Sequence, residues 1–282
     1  MKNDIESLKK IANDVRKDVI KMVYNASSGH PGGSLSSVEI LVALYHEIMD
    51  LSLDNNGQRI DKFILSKGHA APVYYATLAS KGYILKEDLK GFRKIDGFLE
   101  GHPTNKINGI DVSSGSLGQG LSIANGMAIA KKLDGKKGYV YCLIGDGESE
   151  EGQIWEALMT SNKYNLNNLI VFLDYNGLQI DGTIEEVKKQ GNFEEKFKAF
   201  GLFTQVIDGN DLMQIINAVE NSKKQDKPSV IICKTIKGKG ISFMENKANW
   251  HGKAPNEEEY KKAMSELEVN IWNQQDKHMV SF

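Results

Sequence analysis

Gly138-Tyr139-Val140-Tyr141-Cys142-Leu143-Ile144-Gly145-Asp146-Gly147-Glu148 is the stretch that decides the fold. An apolar run with no polar alternation ends abruptly in two glycines that bracket an aspartate. A strand without alternation is buried on both faces, which is the habit of parallel sheets. A helix-period segment follows at 153–164. Thirty residues after Asp146 the pattern returns, where a second apolar run at 169–173 passes into Asp174-Tyr175-Asn176. Further strands are expected at 63–65, 202–207 and 230–234. Helices are expected at 4–25, 34–49 with Ser34 as N-cap, 70–80, 118–133, 193–200 and 212–222. Strands alternating with helices place the chain in the α/β class, as a parallel twisted sheet with helices on both faces.

Composition narrows the function classes. Lys plus Arg is 35 and Asp plus Glu is 37, so no bulk charge draws the chain to nucleic acid or an anionic membrane. Cys142 and Cys233 both lie in apolar runs and read as reduced packing residues, which excludes a disulfide scaffold and cysteine-rich zinc sites. The longest apolar run, 139–144, is far too short to span a bilayer. Acidic residues at Asp4 and Glu6, with no apolar segment behind them, argue against a secretory leader, so the expected location is the cytoplasm. No linker-like stretch divides residues 1–282, and one domain is expected. From about 237 to 255 the pattern breaks into a glycine-rich loop, and the last 25 or so residues read as a terminal helix and tail.

Asp146 and Asn176 both sit where strands end, and open α/β sheets bind ligands at the carboxyl ends of their strands. Alone, Gly145-Asp146-Gly147 also reads as a plain turn. If the two strands are neighbours, roughly 5 Å apart, both side chains reach one point above the sheet edge. One carboxylate and one amide oxygen form a sparse, oxygen-only pair of the kind that holds Mg2+ together with substrate phosphates. No Gly-x-x-x-x-Gly-Lys-Ser/Thr occurs, and no Gly-x-Gly-x-x-Gly. P-loop and dinucleotide sites are therefore poor readings. Four of the six histidines adjoin a glycine: His30, His69, His102 and His251. Histidines in such tight loops suit proton transfer or hydrogen bonding near neutral pH. His46 lies mid-helix without the second histidine of a zinc-protease helix, and His278 lies in the tail, so both are set aside.

Taken together, these segments resemble the N-terminal, diphosphate-binding half of transketolase. The resemblance is carried by Ser28-Gly29-His30-Pro31-Gly32-Gly33-Ser34, Ser66-Lys67-Gly68-His69-Ala70, Gly101-His102-Pro103 and Gly115-Ser116-Leu117-Gly118-Gln119-Gly120. Gly145-Asp146-Gly147 through Asn176, Asp181-Gly182 and the His251-Gly252 loop complete it, from about residue 15 to 255. It implies the thiamine-diphosphate-binding fold, with thiamine diphosphate and Mg2+ as cofactors. Asp146, Asn176 and the main-chain oxygen of Leu178 would hold the metal. His69, Gly115, Leu117, Gly147 and Asn176 would lie against the cofactor. His30, His102 and His251 would face the ketose donor and move protons. Glu151 would sit at the subunit interface and link two active sites, although an acid in a helix's first turn is also explained by the helix dipole.

The family chain is normally more than twice as long, and its pyrimidine-binding and C-terminal domains have no counterpart here. The resemblance thus implies a split transketolase, inactive alone, whose partner is a C-terminal transketolase subunit, with two copies of each chain. It would move a two-carbon ketol unit between a ketose phosphate and an aldose phosphate, as in pentose phosphate metabolism. A transketolase-type enzyme for a sulfonated or branched sugar is the alternative. The alpha chain of a 2-oxoacid dehydrogenase and deoxyxylulose phosphate synthase share the metal signature but not the Ser28-to-Ser34 loop or His102-Pro103. A non-catalytic cofactor-binding module would have no use for the histidines.

Overall fold

The computed structural model describes residues 2–279, with side-chain surroundings through residue 269. Met1, the side chain of His278 and the last three positions of the expected tail lie outside the described residues. Within them, five strands form one sheet: β1 (Lys62–Leu65), β2 (Val140–Gly145), β3 (Leu169–Tyr175), β4 (Phe203–Asp208) and β5 (Ser229–Lys234). Their spatial order is β1-β2-β3-β5-β4, and every neighbouring pair is parallel. The helices are α1 (Ile5–Ala26), α2 (Pro31–Leu35), α3 (Val38–Ala43), α4 (Ala71–Lys81) and α5 (Gln119–Leu133), then α6 (Gly152–Lys163), α7 (Ile184–Val187), α8 (Phe193–Ala199), α9 (Leu212–Ser222) and α10 (Glu257–Met279). None is long and apolar enough to cross a membrane.

The apolar runs are explained by two cores. Successive side chains of a strand point to opposite faces. On one face Tyr141 and Leu143 of β2, Ile170 and Phe172 of β3 and Ile231 of β5 pack with α1, α3, α4 and α9. On the other, Val140, Cys142 and Ile144, Leu169, Val171 and Leu173, and Val230 and Ile232 pack with α5, α6 and α8. Both faces are covered, so neither tolerates a polar alternate. β4 is an edge strand and is only partly buried, which is why its sequence mixes polar and apolar residues. Cys142 and Cys233 are buried free thiols, and burial raises both well above the ordinary thiol value.

One expected element breaks up. Residues 34–49 do not form a single helix, and Ser34 is not its N-cap. Pro31 starts α2 at the first helical position, and Ser34 lies inside α2 with its hydroxyl bonded back to the carbonyl of His30 at 2.7 Å. Ser36 and Ser37 separate α2 from α3, and their hydroxyls reach Asp174 of β3. Side-chain bonds of this kind compete with helix continuation. A widened turn at Leu44–Ile48 then ends the segment. Every position from Pro31 to Glu47 is buried, so the apolar spacing carried no face to mark these breaks.

Phe172 lies fully buried at the centre of the sheet. Phe172→Ala is expected to destabilise the chain by about 3–5 kcal/mol. Urea unfolding should show this as a lower midpoint with an unchanged slope.

Candidate active site

The register of the sheet sets the site. Gly145 pairs with Asp174 across β2 and β3, and the amide of Asp146 still donates to the carbonyl of Asp174 at 3.3 Å. Asp146 and Asn176 therefore leave the sheet from adjacent strand tips. The Asp146 carboxylate spans both tips, accepting from the amide of Gly147 at 2.8 Å and from the amide of Gly177 at 2.7 Å. Gly177 adopts φ +75°, a conformation that favours glycine. The Asn176 amide donates to Asp174 at 3.1 Å, and its oxygen accepts from the amide of Leu178 at 3.2 Å.

Asp174 is fully buried and tied from every side. Lys67 pairs with it, Ser36 donates at 2.7 Å, Thr235 donates to its other oxygen, and Asn176 completes the set. Despite the burial, the Lys67 ammonium and these donors hold its carboxyl below the ordinary range. Lys67 also donates to the carbonyl of Gly33 at 2.8 Å. One carboxylate thus joins the loops after β1, β3 and β5 to the α2–α3 junction. Glu148 does similar work on the other side, accepting from Ser66, from the amide of Gly118 at 2.8 Å and from the amide of Gly145 at 3.0 Å. It fixes the Gly115–Gly120 loop above β2.

Above these anchors lies a pocket of about 250 Å3, lined among others by Lys67, His69, Leu117, Asp146, Gly147, Glu151, Asn176, Leu178, Lys237 and His251. Most of the residues singled out in the sequence meet here. His30 does not line it but touches it through its ring, 5.3 Å from His69 and 5.5 Å from His251, centroid to centroid. His69 and His251 stack at 5.2 Å. Gly115 lies behind the lining, where a Cβ on Gly68 would stand 2.9 Å from its amide nitrogen. His102, the exposed member, packs over Gly115.

The imidazoles are held neutral. Burial, then the charges of Arg93, His102 and Lys237, pushes His30 down to about 4. Burial, then Lys237, His30 and Lys67, pushes His251 down to about 3. His69 lies well below its ordinary value for the same first reason, with Lys67 next, and His102 is lowered by burial and Arg93. Lys237 donates to the Nδ1 atom of His251 at 2.9 Å. An ammonium can only donate, so His251 carries its proton on Nε2.

Residues 7–278 match the family model described as transketolase, thiamine diphosphate binding domain. The chain belongs to the transketolase family. It is 45% identical over 260 residues to the 6-deoxy-6-sulfo-D-fructose transketolase subunit SqwG of Clostridium sp. (strain MSTE9), covering 91% of this chain and 94% of that one. It is 39% identical to an apulose-4-phosphate transketolase subunit of Phocaeicola vulgatus, covering 95% and 96%. With human transketolase the identity is 40%, over 88% of this chain but 40% of that protein. The crystal structure of Campylobacter jejuni transketolase superposes with a TM-score of 0.87 at 33% identity, covering 94% of this chain and 43% of that one. The chain thus corresponds to the thiamine diphosphate-binding part of transketolase and spans about two fifths of the single-chain enzymes.

The residues present fit a magnesium diphosphate. Among the described residues no group of three or more His, Cys, Asp or Glu gathers as a metal cage. What remains is an oxygen set of one carboxylate, one amide and one carbonyl. Asp146 is 3% exposed and has no cationic side chain within ion-pair distance among the described residues. Burial first, and then Asp174, pushes its carboxyl up to about 7, the mark of a buried acid short of positive charge. Lys237 is the reverse case, 1% exposed and, among the described residues, without a carboxylate at ion-pair distance, and burial pushes its ammonium down to about 8. It donates to the carbonyl of Leu178 at 2.9 Å. The site thus engages Lys67, Lys237, Asp174 and Glu148, to which the sequence alone assigns no role. Lys67 stands inside a quoted motif, and Asp174 stands at a strand end. Lys237 stands only in a glycine-rich loop, where nothing local marks it.

Two outcomes follow for this transketolase chain. Lys67→Met leaves Asp174 buried and unpaired, and should destabilise the fold by about 3–5 kcal/mol in denaturant titration. The lowered histidines bind protons more readily when unfolded, so they withdraw stability as pH drops from about 6.5 toward 4, while Asp146, raised to about 7, opposes them over the same range. His46, pushed down to about 4 by burial, adds to the same slope. The site's share is therefore read as the flattening of the profile in His30→Gln.

Proposed function

We propose that this chain is the diphosphate-binding subunit of a thiamine diphosphate- and Mg2+-dependent transketolase that acts with a second, pyrimidine-binding chain. The observation that carries this reading is the pair of opposite deficits in one pocket. Among the described residues neither Asp146 nor Lys237 makes an ion-pair contact, each feels the other's charge only at longer range, and a magnesium diphosphate would give both a direct partner. Asp146, Asn176 and the carbonyl of Leu178 would hold the metal, while Gly147, His69, Gly115, Leu117 and Lys237 would lie toward the cofactor.

Thiamine diphosphate, when bound, supplies the electron sink that ketol cleavage requires. The chain's own residues supply the rest. His30 has a buried Nδ1 atom with no hydrogen-bond partner among the described residues, and we assign it to a donor hydroxyl. His251 offers its Nε2 proton, and neutral His102 waits at the rim. Neutral imidazoles both give and accept protons, which suits a reaction that moves a hydroxyl proton without adding charge to a cationic pocket. Glu151 is exposed at the N-cap position just before α6, not in its first turn, its side chain makes no capping bond among the described residues, and it lines the pocket. Leu117 and Ile180, also on the lining, are 37% and 67% exposed. An exposed apolar rim around an incomplete site suits a partner surface. We place Glu151 and this rim against the second chain, in an assembly of two copies of each, and the whole in the cytoplasm.

The substrate has two readings. Common sugar phosphates are the first. The second is a sulfonated or branched sugar, favoured by the two relatives of matching length, whose names specify 6-deoxy-6-sulfo-D-fructose and apulose 4-phosphate. The test is reconstitution with the partner chain, thiamine diphosphate and Mg2+, followed by assay of ketol transfer from each donor class. Transfer is expected only when both chains are present. A folded assembly that oxidises or decarboxylates a 2-oxoacid and transfers no ketol unit contradicts the proposal.

A further inference from the structure

His30 and His102 stand on separate loops, and one side chain touches both. Arg93 adopts φ +55°, a left-handed conformation that costs a non-glycine residue about 1 kcal/mol. Its amide donates to the carbonyl of Leu99 at 2.8 Å, closing the 93–99 loop and fixing where its side chain emerges. Nη1 donates to the hydroxyl of Ser28 at 3.1 Å, two residues before His30. The guanidinium lies so close over Gly101 that a Cβ there would stand 2.7 Å from Nη2. Gly101 directly precedes His102. The residue before Arg93 supports the same junction from below, since a Cβ on Gly29 would meet the buried Phe92 ring at 3.3 Å. Tyr75 holds the far side of the second loop, donating to the carbonyls of Glu100 and His102 at 2.9 Å each. Among the described residues no carboxylate lies within ion-pair distance of Arg93, so its contacts to the two loops are not incidental to a salt bridge.

We propose that Arg93 is a positioning residue whose guanidinium braces the Ser28-Gly29-His30 loop against the Gly101-His102 loop and so sets the spacing of the two imidazoles. The brace rests on the proposed transketolase function only for its consequence in catalysis. Its electrostatic effect supports it, because the Arg93 charge disfavours protonation of both His30 and His102. The other groups facing His30 are His102, Lys237, His69 and His251. Around His102, Arg93 is the charged neighbour.

The test compares Arg93→Met and Arg93→Lys with wild type. Arg93 is exposed, so both variants should keep the wild-type melting temperature within a few degrees. In the full chain, NMR titration of the His102 ring protons should show the midpoint rising by about half a pH unit in Arg93→Met and returning in Arg93→Lys. In the reconstituted enzyme, Arg93→Met should raise the donor KM roughly tenfold with kcat within about threefold. Arg93→Lys should not restore KM, because lysine keeps the charge but lacks the planar fork that reaches both loops. An unmoved His102 midpoint together with a wild-type KM in Arg93→Met overturns the proposal, as does full recovery of KM in Arg93→Lys. Should the wild-type assembly transfer no ketol unit, the functional reading fails and the titration decides the brace alone. His30 and His102 ring-proton signals that change in Arg93→Lys as well as in Arg93→Met then uphold it, and rings left unperturbed in Arg93→Lys overturn it.

Discussion

The buried Asp174 carboxylate is the constraint on which the pocket depends. A fully buried charge is tolerated only when it is paired and hydrogen-bonded. The structure meets that demand by drawing Lys67, Ser36, Thr235 and Asn176 to one point. Each comes from a different stretch of chain, so satisfying one charge also fixes four loops at the carboxyl edge of the sheet. The break between α2 and α3 follows from the same requirement, because Ser36 and Ser37 serve Asp174 and Gly33 instead of continuing a helix. Asn176 is oriented by the same carboxylate, which decides which end of its amide faces away from β3.

Over this satisfied layer lies one that is left unsatisfied. Among the described residues Asp146 and Lys237 share a pocket without an ion-pair contact, and His30 keeps a buried nitrogen without a partner. Burial first, and then the charges of Lys67, Lys237 and Arg93, keeps the histidines neutral, so the pocket is cationic without relying on imidazolium. Such an arrangement is unfavourable for an empty protein and favourable for one that takes up a metal-bound anion and a polyhydroxylated substrate. Asp174 differs in having a lysine at ion-pair distance, whereas Asp146 accepts only from the amides of Gly147 and Gly177.

Much of this was legible in the sequence. The apolar runs of β2, β3 and β5 showed a sheet buried on both faces, and the spacing from Asp146 to Asn176 pointed to adjacent strand tips. Three of the glycine-flanked histidines, His30, His69 and His251, meet ring to ring, while His102 packs over Gly115. Other features left no local trace. Residues 31–47 are buried on all sides, so helical periodicity could not reveal where the helix breaks. Lys237, Arg93 and Asp174 act through partners 59, 65 and 107 positions away in sequence. A lysine in a glycine-rich loop or an arginine after a turn reads as an ordinary surface charge until folding brings its partner near.

The function proposed above requires that Asp146 and Asn176, at neighbouring strand tips, bind a divalent ion that tethers a diphosphate. Calorimetric titration of thiamine diphosphate into the chain with its partner, with Mg2+ and with EDTA, tests this directly. Binding that requires Mg2+ in the wild type, and is lost in Asp146→Ala while the fold persists, is the predicted result. Equal binding with and without the metal, or undiminished binding in Asp146→Ala, would contradict the account.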